Sequence, residues 1–432
     1  MGLFRSTRSL VAHNLLSMTI GTQPARGTRD ILPQEAARRH RAISAIVDTY
    51  QRFGFQLIET PSIERIELLT GGEGGDNEKQ LFKVQKRGED LERAATAGES
   101  LVDLGLRFDL TVPLTRYFGE HQAVLPRPFK AIQIGPVWRA ERPQKGRYRQ
   151  FVQCDIDILG DPTIGAEVDL IEASTTVFAQ LGIAVDVRLN DRRLLSSIGL
   201  RSGIELDRVD EAMIILDKVD KIGVDGVHSE LTTSFDSAIA DLMMQMIASM
   251  ASADKVSLPW SDPTEAENDA VLQLNTIIGA LGDRVALRFD PTLVRGMGYY
   301  TGTIIEFGVS DLAYSVGGGG RYDKLIGKWS GMDVPACGVS IGFERIIEMI
   351  ADGSIVAPVA VLFESDDDVA QVLAAVRQLR QSGTDVAMIS RAGKLGKQLT
   401  SLAGQNYAAY AIYRSGEPLV INEFQERAAS PS

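Results

Sequence analysis

Two cysteines and four histidines are all that this 432-residue chain offers for disulfide or soft-metal chemistry. Cys154 and Cys337 cannot build a disulfide framework, which fits a reducing compartment. His13, His40, His121 and His228 are scattered without metal-ligand spacing, so no metal site is expected. No uninterrupted apolar run reaches membrane length, so no spanning helix is predicted. The phosphate loop GxxxxGK[ST] is absent, and so is a nucleophile elbow. Net positive charge is lacking too: the formal charge is −12 at pH 7. That argues against holding nucleic acid by bulk charge but leaves room for a local basic patch.

What is present is ordinary in bulk and unusual in one place. Hydrophobic residues make up 44% and charged residues 24%, as in a globular protein with room for about two to three domains. The unusual place is VWRAERPQKGRYRQFVQCDIDILG, Val137 to Gly160. Five of the eleven residues from Arg139 to Arg149 are basic, and only Glu141 is acidic. An alternation follows at once, with Phe151, Gln153, Asp155 and Asp157 on one face of a strand and Val152, Cys154, Ile156 and Ile158 on the other.

Before Asp30 the only charges are basic, among several Ser and Thr. Residues 1–29 thus resemble a transit peptide; the plainer reading is an upstream start codon, with Met18 the true beginning. Pro33 to Gly54 carries apolar residues at helical spacing and stops at glycine. GFQLIETPSIE reads as a strand broken by Pro61, which belongs at an edge or an interface. Gly71 to Gly105 reads as polar and glycine-rich, with one strand in LFKVQKR. LGLRFDLTVPLTRYF passes from strand to helix at Thr111 to Pro113. FKAIQIGPVWRAE and RQFVQCDIDILG form an antiparallel hairpin around the cationic loop RPQKG, and a helix closed by Gly182 follows. Helical patterns dominate residues 194–284, strands return in 285–352, and 356–432 reads β-α-β.

Arginine on one strand end and carboxylate farther along it suits a site for a polyphosphate and an amine. Guanidinium pairs bidentately with phosphate oxygens and stays charged at any working pH. Asp109, Asp155 and Asp157 could neutralise a cationic amine. The competing reading is surface ion pairing, worth about 0–1 kcal/mol per pair. On a strand, Tyr299 and Tyr300 would point to opposite faces, so one of them packs in the core. Cys154 reads as a core residue, and the glycines at 317–320 as permitting close backbone approach.

Several segments, in order, resemble the histidyl branch of the class II aminoacyl-tRNA synthetases. VWRAERPQKGRYRQFVQ is similar to its motif 2 hairpin, and LVRGMGYYTGTIIE (Leu293 to Glu306) to its histidine signature, usually RGLDYYTG. GGGGRYDKLIG and GVSIGFERI resemble its glycine-rich segment and motif 3, GFQLIETPSIE its motif 1, and RGTRDILP its opening. The resemblance implies an α+β fold, with an antiparallel sheet core flanked by helices. Its expected division is an extension (1–25), a catalytic domain in two parts (26–193 and 285–352), a helical insertion (194–284) and a C-terminal anticodon-binding-like α/β domain (356–432). It also implies a cytoplasmic homodimer, joined through motif 1 and bound to no membrane, that makes histidyl-adenylate from histidine and ATP with Mg²⁺ and charges tRNA(His).

Residue by residue, the resemblance implies that Arg139 holds the α-phosphate, Glu141 meets the adenine and Phe151 stacks beneath it. Arg345 covers the other adenine face and reaches the γ-phosphate, and Arg295 stabilises the α-phosphate under attack. Asp109 and Gln153 take the α-amino group, and Asp157 with Tyr300 or Tyr322 takes the imidazole. Thr111 and Tyr299 complete the histidine site, while Gln144, Lys145 and Arg147 approach the tRNA. Two departures stand out: Gly298 replaces the signature's Asp, and the tail is short. They keep two alternatives open, an amide-forming paralogue that uses the adenylate without tRNA and a regulatory subunit of ATP phosphoribosyltransferase.

Overall fold

The computed structural model describes residues 21–71, 80–142, 147–250, 255–295, 299–310, 312, 314–350, 357–405 and 407–424, with only the backbone of 328–330. Gln144, Lys145 and Gly298 lie outside the described residues, as does Met18. Contacts divide the chain into two compact units, Met1–Ile350 and Ala351–Ser432.

The first unit is built on an eight-stranded sheet. Its strands are β1 (Gln56–Leu57), β5 (Phe129–Trp138), β6 (Gln150–Leu159), β11 (Ala336–Ile341), β10 (Gly317–Arg321), β9 (Thr303–Gly308), β7 (Asp186–Asp191) and β8 (Ala286–Phe289), in that spatial order. All pairings from β5 to β7 are antiparallel, as expected; the edge strands β1 and β8 pair in parallel. A three-stranded antiparallel sheet joins β2 (Ile63–Arg65), β4 (Val102–Leu106) and β3 (Lys83–Gln85). Pro61 falls between β1 and β2, where it removes no ladder donor.

The β5–β6 hairpin pairs from Phe129↔Leu159 to Trp138↔Gln150 without a break, so the alternation in sequence becomes two chemically distinct faces. Cys154, Ile156 and Ile158 join the main core with Ile46 and Tyr50 of α1 (Pro33–Arg52) and Leu170 and Phe178 of α5 (Gly165–Gln180). On the opposite face, Phe129, Ala131 and Leu159 pack against Leu114 and Phe118 of α4 (Thr111–His121). Beyond that apolar end the same face turns polar, through Asp157, Asp155 with Gln133 opposite, and Gln153.

Among the described residues, two short helices, α2 (Ile66–Thr70) and α3 (Gly88–Ala97), lie between α1 and α4. The second adds a helix to a stretch read only as polar and glycine-rich with one strand: with Ala94 its one buried position, α3 has no apolar stripe to read. Helices α6 (Arg192–Arg201), α7 (Val209–Leu216), α8 (Val219–Ser234), α9 (Ser237–Met250) and α10 (Glu265–Leu281) fill the expected helical stretch. Their buried side chains, among them Leu195, Met213, Leu231, Met243 and Leu274, belong to the same core as the sheet. Two further helices, α11 (Asp323–Ser330) and α12 (Phe343–Ile347), follow β10 and β11.

In the second unit β12 (Val359–Phe363) pairs in parallel with β13 (Val386–Ser390) and β14 (Ala409–Ile412). Helices α13 (Val369–Gln381) and α14 (Leu395–Ala403) supply the crossovers, and β15 (Asn422–Glu423) adds an antiparallel edge. Among the described residues, no helix is long and apolar enough to cross a membrane.

Candidate active site

At the open end of the β5–β6 hairpin, the polar face of the sheet widens into a cleft of about 320 Å³. Arg139, Glu141, Arg147, Phe151, Gln153, Arg295 and Arg345 all line it, so the structure brings together residues that lie up to 206 positions apart. Arg139 continues β5: its amide donates to Arg149 O at 2.8 Å and closes the hairpin base. Its guanidinium lies 5.1 Å from the Phe151 ring centre, and its Nε donates to Phe108 O at 3.1 Å. The neighbours of Phe108 are also fixed. Arg107 crosses over Gly135, where a Cβ would overlap its guanidinium, and donates to Thr60 O at 2.7 Å and Pro136 O at 2.9 Å. Asp109 accepts from Val112 N at 3.1 Å and so bonds to the first turn of α4, which Thr111 opens.

The cations are aimed by bonds to groups that the sequence did not advertise. Arg295 Nε donates to Glu306 at 2.7 Å and Nη2 to Ser315 Oγ at 2.6 Å. Its Nη1 lies over Gly318, where a Cβ would come within 2.5 Å. Arg345 donates to the Ser315 carbonyl, so one serine holds both arginines. Burial, with Arg147 and Arg295 nearby, pulls the Arg345 guanidinium below its usual range. Glu344, the adjacent carboxylate, does not relieve this charge. Arg39 takes both its oxygens at 2.7 Å, Arg29 adds a bond of 3.1 Å, and Val152 N donates at 3.1 Å. Burial opposes its ionisation, but Arg39 prevails and holds the carboxyl below its usual range. The cleft therefore keeps a net positive field suited to phosphate.

The floor has the opposite character. Asp157 is buried, accepts from the Tyr322 hydroxyl and is pushed up to about 7 by burial, against the pull of that bond. Its Oδ1 occupies space that a Cβ at Gly338 would fill. Burial also raises Asp109, and burial with Asp157 raises Asp155 well above the carboxylate range. Gln153 donates to Asp155 at 3.3 Å and to Ser340 Oγ at 3.3 Å. Asp157 Oδ2 and Gln153 Oε1 are buried acceptors without a protein donor. Two orphaned acceptors on one sheet face, four residues apart along β6, suit a ligand rich in N–H groups.

Tyr299 and Tyr300 correct the strand reading. Both precede β9 outside any strand, their ring centres lie 4.3 Å apart, and alternation does not apply. Tyr300 packs against the core while Tyr299 is 43% exposed, so one does pack inside, for a different reason. The four glycines of β10 lie so close to β9 and β11 that Cβ atoms there would meet Ile305 O at 2.7 Å and Thr303 O at 2.5 Å. Sequence reasoning assigned no role to Glu306, Ser315 or Glu344; the place of Glu306 at the end of LVRGMGYYTGTIIE and of Glu344 beside Arg345 could have flagged two of them. Among the described residues no group of three or more His, Cys, Asp or Glu could hold a metal.

The histidyl-tRNA synthetase family model matches residues 27–346. The histidine–tRNA ligase of Leifsonia xyli subsp. xyli is 43% identical over 415 residues, covering 92% of this chain and 96% of the relative. The solved histidyl-tRNA synthetase from Nostoc sp. PCC 7120 superposes with a TM-score of 0.72 at 25% identity, covering 91% of each chain. A Bacillus halodurans structure described as an ATP phosphoribosyltransferase regulatory subunit/histidyl-tRNA synthetase shares the fold, with a TM-score of 0.75, 20% identity, and 92% and 100% coverage. On sequence match, fold and site together, the chain belongs to the histidyl-tRNA synthetase family.

Proposed function

We propose that this protein is a histidine–tRNA ligase that forms histidyl-adenylate from histidine and ATP and then charges tRNA(His). The observation that carries the reading is the division of one sheet face into a cation-lined cleft and a carboxylate floor with orphaned acceptors. ATP would lie in the cleft with its adenine between Phe151 and Arg345, Glu141 beside it, its α-phosphate on Arg139 and its γ-phosphate near Arg345. Magnesium would arrive on the phosphates, because Glu306 and Glu344 are already paired with arginines. Histidine would place its ammonium on Asp109 and Gln153, with Thr111 and Tyr299 at the edge, and its imidazole N–H on Asp157, with Tyr300 and Tyr322 around it.

A carboxylate oxygen of histidine then attacks the α-phosphorus, the bond to the bridging oxygen breaks, and pyrophosphate leaves. No general base is needed, since the substrate carboxylate is ionised at neutral pH. Charge grows on the α-phosphate oxygens, where a guanidinium already fixed by Glu306 and Ser315 acts without reorganising. Transfer to the tRNA 3′ end follows, with Arg147, Gln144 and Lys145 toward its phosphates. We further infer a cytoplasmic homodimer, joined through the segment around Pro61. The proposed division keeps 26–193 and 285–352 as the catalytic domain, 194–284 as the helical insertion and 356–432 as the tRNA-reading domain. The test is pyrophosphate exchange with each amino acid, followed by charging of total tRNA. Exchange with histidine alone and charging of one tRNA species are expected; histidine exchange without any charging would favour the amide-forming reading instead.

A further inference from the structure

Arg188 lies on β7, directly opposite Glu306 on β9, and its guanidinium serves three carboxylates. It donates to Asp290 at 3.2 Å, to Asp220 at 3.1 Å and to one oxygen of Glu306. The other oxygen of Glu306 accepts from Arg295 Nε. Asp220 comes from elsewhere in the fold, the first turn of α8, and its side chain is 60% exposed. Gly223, at φ +71° and ψ 173°, breaks α8 just after that turn, a conformation that glycine adopts without the strain a Cβ brings. A solvent-facing carboxylate of the helical region thus reaches the cation of the cleft through one guanidinium and one buried carboxylate.

We propose that Asp220 and Arg188 are positioning residues for adenylation, which set the aim of Arg295 by fixing Glu306 between two guanidiniums. Glu306 is shared, so its place depends on how much of the charge on Arg188 is met elsewhere. Asp290 and Asp220 meet part of it. Without Asp220, Arg188 draws Glu306 toward β7, and the Nη1 of Arg295 leaves its place above Gly318. Seating of the α8 turn is thereby coupled to chemistry in a cleft whose lining does not include Asp220. The inference rests on the adenylation reading of Arg295.

The test measures histidine-dependent pyrophosphate exchange by the full chain carrying Asp220→Asn or Asp220→Glu, each alone and combined with Arg295→Lys. Asp220→Asn should lower kcat about five- to tenfold while KM for ATP and histidine stays within about twofold, a coupling normal for one ion-pair network. Asp220→Glu should recover most of the loss, and Asp220→Asn should add little once Arg295 is lysine. An unchanged kcat, an equal loss in both backgrounds, or a loss that tracks a fall in thermal midpoint overturns the proposal. No histidine-dependent exchange by the unaltered chain defeats the adenylation reading and the relay with it. Normal exchange that ignores Asp220→Asn defeats the relay alone.

Discussion

At the mouth of the cleft, Arg139, Arg147, Arg295 and Arg345 share one space, and the nearby Glu344 is committed to Arg29 and Arg39. On the floor, Asp155 and Asp157 sit side by side, and no described guanidinium or ammonium bonds either. Both arrangements crowd like charges in partly dry surroundings, but they resolve the strain differently. Guanidinium does not surrender its proton at any working pH, so the mouth is a fixed field held in shape by carbonyls, Ser315 and Glu306. A carboxylate can take up a proton, so the floor adjusts its charge to what occupies it. A phosphate that always arrives charged suits the first solution, and a titratable imidazole suits the second.

The largest break in this contrast is expected from Arg295→Ala. Loss of one preorganised donor should raise the adenylation barrier by about 2.7–4 kcal/mol, about 10²–10³ in exchange rate. A near-normal exchange rate would remove Arg295 from the transition state.

Asp157→Asn probes the floor. Leaving ligand N–H groups poorly matched should cost about 1–3 kcal/mol of histidine binding, with the ATP constant unmoved. Should calorimetry show ATP binding weakened instead, the floor and the mouth have been assigned the wrong way round.

Phe151→Leu is a smaller change at the mouth. It removes the ring beneath Arg139 and the proposed adenine seat, worth about 0.5–1.5 kcal/mol beyond area for one aromatic contact. The KM for ATP should rise several-fold while histidine binding holds; equal losses for both substrates would mean that Phe151 supports the fold and not the nucleotide.

A separate prediction concerns stability and not rate. A buried carboxyl raised to about 7 is neutral in the folded chain while its unfolded counterpart ionises near 4. The unfolded state therefore binds fewer protons between those values, and stability falls as pH rises through about 4 to 7, then levels off. Denaturation midpoints of the ligand-free chain should show the original protein losing ground to Asp157→Asn across that window. Parallel curves would mean that Asp157 is ionised throughout.

The hairpin and its charge pattern were legible because they are local: one strand, period two, and a loop of known composition brought Arg139, Phe151, Gln153 and Asp157 into register. The groups that aim the cations were not. Glu306 and Ser315 lie 11 and 20 positions from Arg295, across a turn and on separate segments, and no helical or strand period pairs residues at those spacings. Tyr299 and Tyr300 misled because a strand was read one turn too early, before β9 begins at Thr303. Helix α3 stayed hidden because a helix with one buried residue leaves no stripe.

The glycines of β10 carry a thermodynamic consequence. Glycine gives up more backbone freedom on folding than any other residue, about 0.5–1 kcal/mol more than alanine in a strand interior. Four in succession, Gly317 to Gly320, make this strand intrinsically weak, and every added Cβ would strike a neighbour. The usual route to a stiffer protein, replacing glycine to restrain the unfolded chain, is thus closed here. Heat tolerance in this chain has to be sought away from these four glycines, two of which line the cleft.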